Sequence, residues 1–453
     1  MAFDPTATLQ NTTNFAEAMK IYYAAKAVQT LNREVVLLGE LEKTKEYWTG
    51  KQHQVPVHMR SSESVGARGE DATLPESRAL TYAESIVANK SLYCSVKVTG
   101  QADAQTRDQA GAWASVKEDQ IRNAVMDLRY DLGRQAYGDS KGILCEVKDI
   151  PSTSGDDSTV TILSEDAGDS PTNFTGWAWN TTKCLRPGMW VAWGQYDAGT
   201  EGAGPPKTGF SAPAPVGTGY GYIKSVSDSS PYNEFVVSKV GGAAPVATDV
   251  FVRGDANTAG THSFGQEVMG LTGLVGTGAL QGIDPAADYP EWKASVLSNG
   301  GTKRPLDEVL FQQALNRITD RTNGNTEFAV AHTSVRDSFL FHIKSLGRER
   351  YAPQKLVAGW SVLEYAGGAK PVRVYADRQA RHGKLWGIDP SSMKCFIVKA
   401  FQWDESNGTV WKWEKGKDAM VAFGKLYKNF GVTDRKRNFV IEDIAVDEGS
   451  LYE

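Results

Sequence analysis

One run of the sequence constrains everything around it. Residues 106–137 contain no proline and carry Ala110, Ala114, Ile121, Val125, Leu128, Leu132 and Ala136 on one face of a 3.6-residue period. Gly138 stands just past that run, where a helix commonly ends. The spacing predicts one helix roughly 48 Å long at 1.5 Å per residue. Ordinary globular helices run three or four turns, so a helix of this length organises the elements that pack on it.

Upstream of it, residues 1–50 start polar and become helix-compatible at Ala16, Met19, Tyr23, Ala27 and Leu31. An extended or partly helical arm is expected there. Between residues 55 and 98 the period becomes two, with Leu80, Tyr82, Ile86, Cys94, Val96 and Val98 on one parity. The polar stretch 60–77, containing Gly66, Gly69 and Pro75, separates the two halves. This predicts a long hairpin whose tip carries Arg60, Glu63, Arg68, Glu70, Asp71, Glu76 and Arg78.

Downstream, the composition turns rich in Gly, Ser, Thr, Pro and aromatics between residues 151 and 262, with short β-compatible runs at 160–163, 189–193, 220–226, 234–240 and 249–253. Pro187-Gly188 and Gly241-Gly242 supply turns. An all-β insertion, in the form of a small barrel, is expected. Within it, residues 183–255 are expected to be self-contained, with Trp190, Tyr220, Tyr222 and Phe235 as core.

Mixed α/β character resumes at Val268. Pro305 is expected at the first position of a helix carrying Leu306, Leu310, Ala314 and Ile318. A strand at 327–331 follows, and Ser334 with Asp337 makes the S-x-x-D pattern of a capping box ahead of Val335, Phe339, Ile343 and Leu346. A strand at 371–376 and a meander at 394–403, 409–414, 419–430 and 437–444 complete the chain, with Asn407-Gly408 as one hairpin turn.

Composition excludes several functions. With 49 basic against 54 acidic side chains, net −5, and no long basic run, the chain is not built to wrap nucleic acid. Hydrophobic residues at 41% and charged residues at 23% suit a folded, water-exposed protein. The start of the chain shows no secretory leader and no stretch is apolar enough to span a bilayer, so a cytosolic location is expected. The four cysteines, Cys94, Cys145, Cys184 and Cys395, have no CxxC spacing, and the six histidines form no HExxH. No metal, cofactor or catalytic residue is assigned.

Glycines at 276, 278 and 282 are spaced GxGxxxG with no Walker lysine, so a plain turn is the better reading. No GxSxG is present. Arg253-Gly254-Asp255 is read as a turn. Carboxylates at Asp284, Asp288 and Glu291, with Trp177, Trp179, Trp190 and Trp193, leave open a Trp-rich carbohydrate-active enzyme or binding module.

The order of parts resembles the major capsid proteins of tailed phages, the Hong Kong 97-type fold shared with encapsulins. The segments that carry the likeness are DLRYDLGRQAYGD at 127–139, LRPGMWVAW at 185–193 and VAGWSVLEYAGGAKPVRVYADRQARHGKLWGID at 357–389. The resemblance implies an α+β Hong Kong 97-like phage capsid fold with an all-β insertion. It divides the chain into an N-terminal arm at 1–50, an E-loop hairpin at 51–100, a P-domain with its spine helix at 101–142, a β-rich insertion at 143–262, an A-domain at 263–390 and a C-terminal β meander of the P-domain at 391–453.

It further implies a structural, non-enzymatic virion protein that self-assembles through hexamers and pentamers into the icosahedral head around phage DNA. The hairpin-tip charges would contact neighbouring subunits, and Arg378, Arg381 and His382 would lie on an A-domain loop near the capsomer centre. The arm is too short to include a scaffolding domain of usual size, so the implied partners are other copies of the chain, a separate scaffolding protein and a portal protein, with room for a decoration protein. Packaged DNA would be met only by weak, non-specific contact. An encapsulin-like compartment is the near alternative. Lys51, Lys90, Asn407 and Glu414 are the residue types of the family's isopeptide cross-link, but no motif matches them to it and none is assigned.

Overall fold

The computed structural model describes residues 36–44, 48–49, 52–70, 73–107, 116–163, 182–195, 219–227, 233–247, 249–254, 262–286, 289–322, 324–345, 363–365, 371–405 and 409–446. The chain forms two compact units. One comprises Ser91–Val268 and Lys399–Tyr427, the other Val36–Lys90, Met269–Val398 and Lys428–Glu453. Of the arm expected at 1–50, residues 1–35 lie outside the described part, as do Asn407-Gly408 and Asp71.

In the first unit the long helix is described as Val116–Gln135, preceded by a helix at Gly100–Arg107, with 108–115 between them outside the described residues. The helix closes through Ala136, Tyr137 and Gly138, whose amides donate to the carbonyls of Leu132, Arg134 and Gln135. Its apolar stripe is half-buried until Leu132, after which Ala136 and Tyr137 are fully enclosed. The covered part meets a sheet: Ala124 packs on Val96, Val98 and Ala102 with Trp403 and Trp411.

A closed six-stranded barrel follows the helix. Its strands are Ile143–Ser154, Asp157–Ile162, Trp190–Gln195, Gly219–Val226, Glu234–Gly241 and Asp249–Arg253. The barrel therefore begins at Ile143, and residues 183–255 are not self-contained, because the strands at 143–154 and 157–162 close it. Phe235, Phe251 and Trp193 fill the interior, with ring centroids 5.3–5.4 Å apart. Of the four aromatics expected in the core, only Phe235 is buried; Trp190 and Tyr222 face each other outside at 5.7 Å, and Tyr220 packs on Ile143, Ala192, Val250 and Val252. Alternation of side chains decides this, since neighbours in a barrel strand point to opposite faces. Gly221 is required where two strands close on each other: a Cβ there would lie 2.0 Å from the Ser238 carbonyl oxygen.

The second unit is built on a six-stranded mixed sheet in the order Ser295–Leu297, Phe439–Ile441, Leu385–Ile388, Phe328–Ala331, Val372–Ala376 and Leu363–Tyr365. The strand Phe328–Ala331 is buried at every position, as a central strand covered on both faces must be. Helices Glu308–Thr322 and Thr333–Ser345 bury Leu310, Phe311, Ala314, Leu315, Ile318, Val335 and Phe339 against it. Phe311 is the hub, with Tyr365 at 4.9 Å, Phe339 at 5.9 Å and Phe439 at 6.3 Å. Enclosing such a side chain contributes about 1.5–3 kcal/mol.

Both helix starts differ from expectation. The first begins at Glu308, and the Asp307 carboxylate accepts from the Leu310 amide at 2.8 Å, so Asp307 caps and Pro305 lies before the helix. At the second, His332 takes the capping role: its carbonyl accepts from the amides of Val335 and Arg336, and its Nδ1 accepts from the Ser334 amide at 3.2 Å. Asp337 pairs with Arg336, leaving the S-x-x-D box unformed.

Candidate functional site

The hairpin consists of Gln52–Arg60 and Thr81–Ala88, antiparallel from Gln52 opposite Ala88 to Arg60 opposite Thr81. Along the first strand every second residue, His53, Val55, Val57 and Met59, is buried. Along the second strand only Ser85 and Val87 are buried; Leu80 and Tyr82 are exposed and Ile86 is half-buried. The single apolar face expected through Leu80, Tyr82 and Ile86 is therefore absent. Val55 and Val87 pack on Phe396, which anchors the lower half of the hairpin.

Beyond Arg60 the chain leaves that support. Val65 is 93% exposed and Leu74 is 78% exposed, and Leu80 and Tyr82 are exposed as well. Val65 and Leu74 lie on the loop itself, whereas Tyr82 belongs to the strand Thr81–Ala88 and meets the His58 ring at a centroid distance of 5.3 Å. Local hydrogen bonds hold the loop: the Arg78 amide donates to Ser64 Oγ at 2.9 Å and Arg68 Nε to the Thr73 carbonyl at 3.1 Å. Glu63 sits at φ 46°, in the left-handed region.

The tip charges fall into two groups. Arg60 reaches back and donates to both carboxylate oxygens of Glu291, at 2.9 and 3.4 Å, with its guanidinium carbon 5.9 Å from the centre of the Tyr289 ring. Hydrogen bonding and charge raise the Arg60 pKa and lower that of Glu291. Glu63, Arg68, Glu70, Glu76 and Arg78, by contrast, form no ion pair among the described residues.

The residues expected on the second loop are also separated. Arg378 is exposed, whereas Arg381 is 3% exposed and enclosed within the chain. His382 stacks on His332 with ring centroids 3.8 Å apart. Asp377 organises the turn, accepting from the Gln379 amide at 2.9 Å while its own amide donates to Ala331. Of the three, Arg378 is exposed, His382 half-buried and Arg381 buried.

No described sequence family matches the chain, and neither does any curated protein. Among solved structures, the capsid asymmetric unit of cyanophage A-1(L) is similar at a TM-score of 0.51 and 11% identity, over 96% of this chain and 98% of that one. The chain has the Hong Kong 97-like capsid fold. An encapsulin complex from Synechococcus elongatus PCC 7942 is also similar, at a TM-score of 0.46 and 8% identity over 98% of each chain. So is a structure from Mycobacterium phage Bobi, at 0.43 and 7%, over 95% of this chain and 98% of that one.

In this capsid fold the residues missed by sequence reasoning are the apolar ones of the tip. Val65 and Leu74 stand alone among polar neighbours, so no periodicity marks them. In sequence Glu291 is only one of a carboxylate group; its pairing with Arg60 joins residues 231 positions apart.

Proposed function

We propose that this chain is the major capsid protein of a tailed phage. It assembles through hexamers and pentamers into the icosahedral head that encloses the DNA, and its role is mechanical. One observation carries the reading within a capsid fold: the hairpin exposes Val65, Leu74, Leu80 and Tyr82, and Glu63, Arg68, Glu70, Glu76 and Arg78 of its tip have no ion-pair partner among the described residues. Burying each such aliphatic side chain against a neighbouring copy would contribute about 1.5–3 kcal/mol. A contact repeated at every subunit closes rings and then a shell.

In this reading residues 51–100 form the lateral hairpin, 101–142 and 391–453 the peripheral body, 143–262 the insertion and 263–390 the axial domain, with Arg378 toward the capsomer centre. The net charge of −5 suits a container whose lining holds DNA weakly. Its partners in this reading are a separate scaffolding protein and a portal protein, and a decoration protein is a further candidate partner.

Negative-stain microscopy of the purified chain, alone and with its genomic neighbour, tests the proposal. Closed shells are expected, and a portal vertex in them means a phage head. Shells filled with protein cargo would mean an encapsulin-like compartment, and monomers that bind sugar would overturn both.

A further inference from the structure

The segment from Leu271 to Trp292 touches the hairpin at two places and is itself held from beneath. Its centre is a tight turn: Leu280 and Ile283 exchange both backbone hydrogen bonds at 3.0 Å, and the two residues between them, Gln281 and Gly282, lie at φ 56° and 81°. Positive φ at both central residues is type I′ geometry, in which glycine costs nothing and glutamine is strained. A strained side chain persists where its surroundings over-determine it.

Gln281 has such surroundings. Its backbone carbonyl accepts from the Ile86 amide at 2.9 Å. With its amide nitrogen toward Val432, the side chain donates to the Val432 carbonyl at 2.9 Å and to Ser85 Oγ at 2.8 Å, and it accepts from the Val432 amide at 3.0 Å. One residue thus joins the hairpin strand to the strand at Ala419–Val432. The second contact is the exposed pair of Arg60 and Glu291, five positions along the opposite hairpin strand from Val55, which faces Ser85. Five residues of extended strand span roughly 17 Å.

The segment is stiff because Arg435 is buried beneath it, 1% exposed. Its guanidinium donates to the carbonyls of Leu274 at 2.8 Å, Gly273 at 3.0 Å, Gly278 at 2.5 Å and Trp292 at 3.4 Å. Trp292 Nε1 donates to the Leu280 carbonyl at 3.3 Å. No carboxylate neutralises Arg435 among the described residues, and burial lowers its pKa to about 10. Cation and carbonyl dipoles take the place of an ion pair.

We propose that residues 271–286 and 289–292 form a two-point bracket that sets the direction of the hairpin: Gln281 is the permanent grip and Arg60–Glu291 a releasable clasp. The difference lies in solvent exposure. The Gln281 contacts go to the buried Ser85 hydroxyl and the buried Val432 backbone, whereas the clasp is exposed to screening by salt. Neither depends on the shell reading, although in a shell the bracket would decide where the tip meets its neighbour.

Hydrogen–deuterium exchange on the full-length chain, below concentrations that form particles, tests the bracket. Gln281→Asn suits the left-handed turn better but is too short to reach Val432. It is expected to speed exchange across 81–88 about tenfold, the loss of roughly one net hydrogen bond, without lowering the melting temperature. Glu291→Lys is expected to speed exchange at the Arg60 end of 52–60, as 1 M salt does for the unaltered chain, and the exchanged pair Arg60→Glu with Glu291→Arg is expected to restore it. Unchanged exchange in both hairpin strands for Gln281→Asn and Glu291→Lys would overturn the proposal. So would failure of the exchanged pair to restore protection that Glu291→Lys had removed.

Discussion

Arg134, in the last turn of the long helix, donates to Glu267 at 2.5 Å, and both side chains are 3% exposed. Around them, Asp131 accepts from Arg134 and from Gln135, Ser263 donates to Glu267, and the Val268 amide donates to Gln135. Burial works against charge on Asp131, yet Arg253 and Arg134 outweigh it and bring its pKa down to about 2. This network joins the end of the helix to the chain leaving the barrel. Arg134→Met leaves the buried Glu267 without its cation, while Asp131 keeps Arg253 at 3.7 Å, and the loss of one partner of a buried pair costs about 3–5 kcal/mol. Arg134→Met with Glu267→Met is expected to recover a large part of that. Urea unfolding of the three proteins checks it, and a cost below about 1 kcal/mol for the single variant would contradict the account.

Acid is expected to strengthen the barrel. Burial raises Glu146 to a pKa of about 7 and Asp249 to about 6, in both cases as the largest cause. A carboxyl whose folded pKa exceeds its unfolded value contributes stability below the unfolded value, near 4, and loses it as pH rises through the folded one. Stability should therefore decline between about pH 4 and pH 7. Glu146→Gln should remove part of the slope and stabilise the protein above pH 7 by about 1–2 kcal/mol, after discounting for screening. Melting curves from pH 4 to pH 8 give the comparison.

Excision of the barrel has one workable boundary. Removing 183–255 takes four of its six strands and strips cover from Val147, Val160 and Ile162, which are now buried; that variant is expected to aggregate. Removing 143–263 behind a short glycine linker is expected to leave a soluble, helical protein, because the Gly265 amide already donates to the Lys141 carbonyl at 3.0 Å. Solubility and far-ultraviolet circular dichroism separate the two outcomes.

The tip should matter to assembly and little to folding. Arg68→Glu with Glu70→Lys preserves net charge, and Val65→Ser with Leu74→Ser removes apolar surface that nothing covers in the single chain. Each pair should change unfolding free energy by no more than about 0.5 kcal/mol. Particle yield should fall steeply, since a wrong contact recurs at every subunit. Sedimentation beside a thermal melt is the measurement; normal yield from both pairs would strike the tip from the interface.

Local physics made much of this legible in sequence. The strands at Gly219–Val226, Glu234–Gly241 and Asp249–Arg253 fall within a residue or so of the positions that alternation and turn residues predict, because both act between near neighbours in the chain. The order of parts was likewise sufficient to reach the capsid fold. What only the tertiary structure decided depends on groups far apart in sequence. Which barrel aromatics point inward follows from strand register and closure, so Trp193 and Phe251 are core while Trp190 and Tyr222 are not. Which charges are used follows from distance in space: Arg60 meets Glu291, Arg134 meets Glu267, and Arg381 is enclosed while Arg378 is free to meet solvent. Gln281 and Arg435 carry no sequence signal at all, since all but one of their partners, the Ser85 hydroxyl, are backbone atoms, whose placement side-chain patterns do not encode.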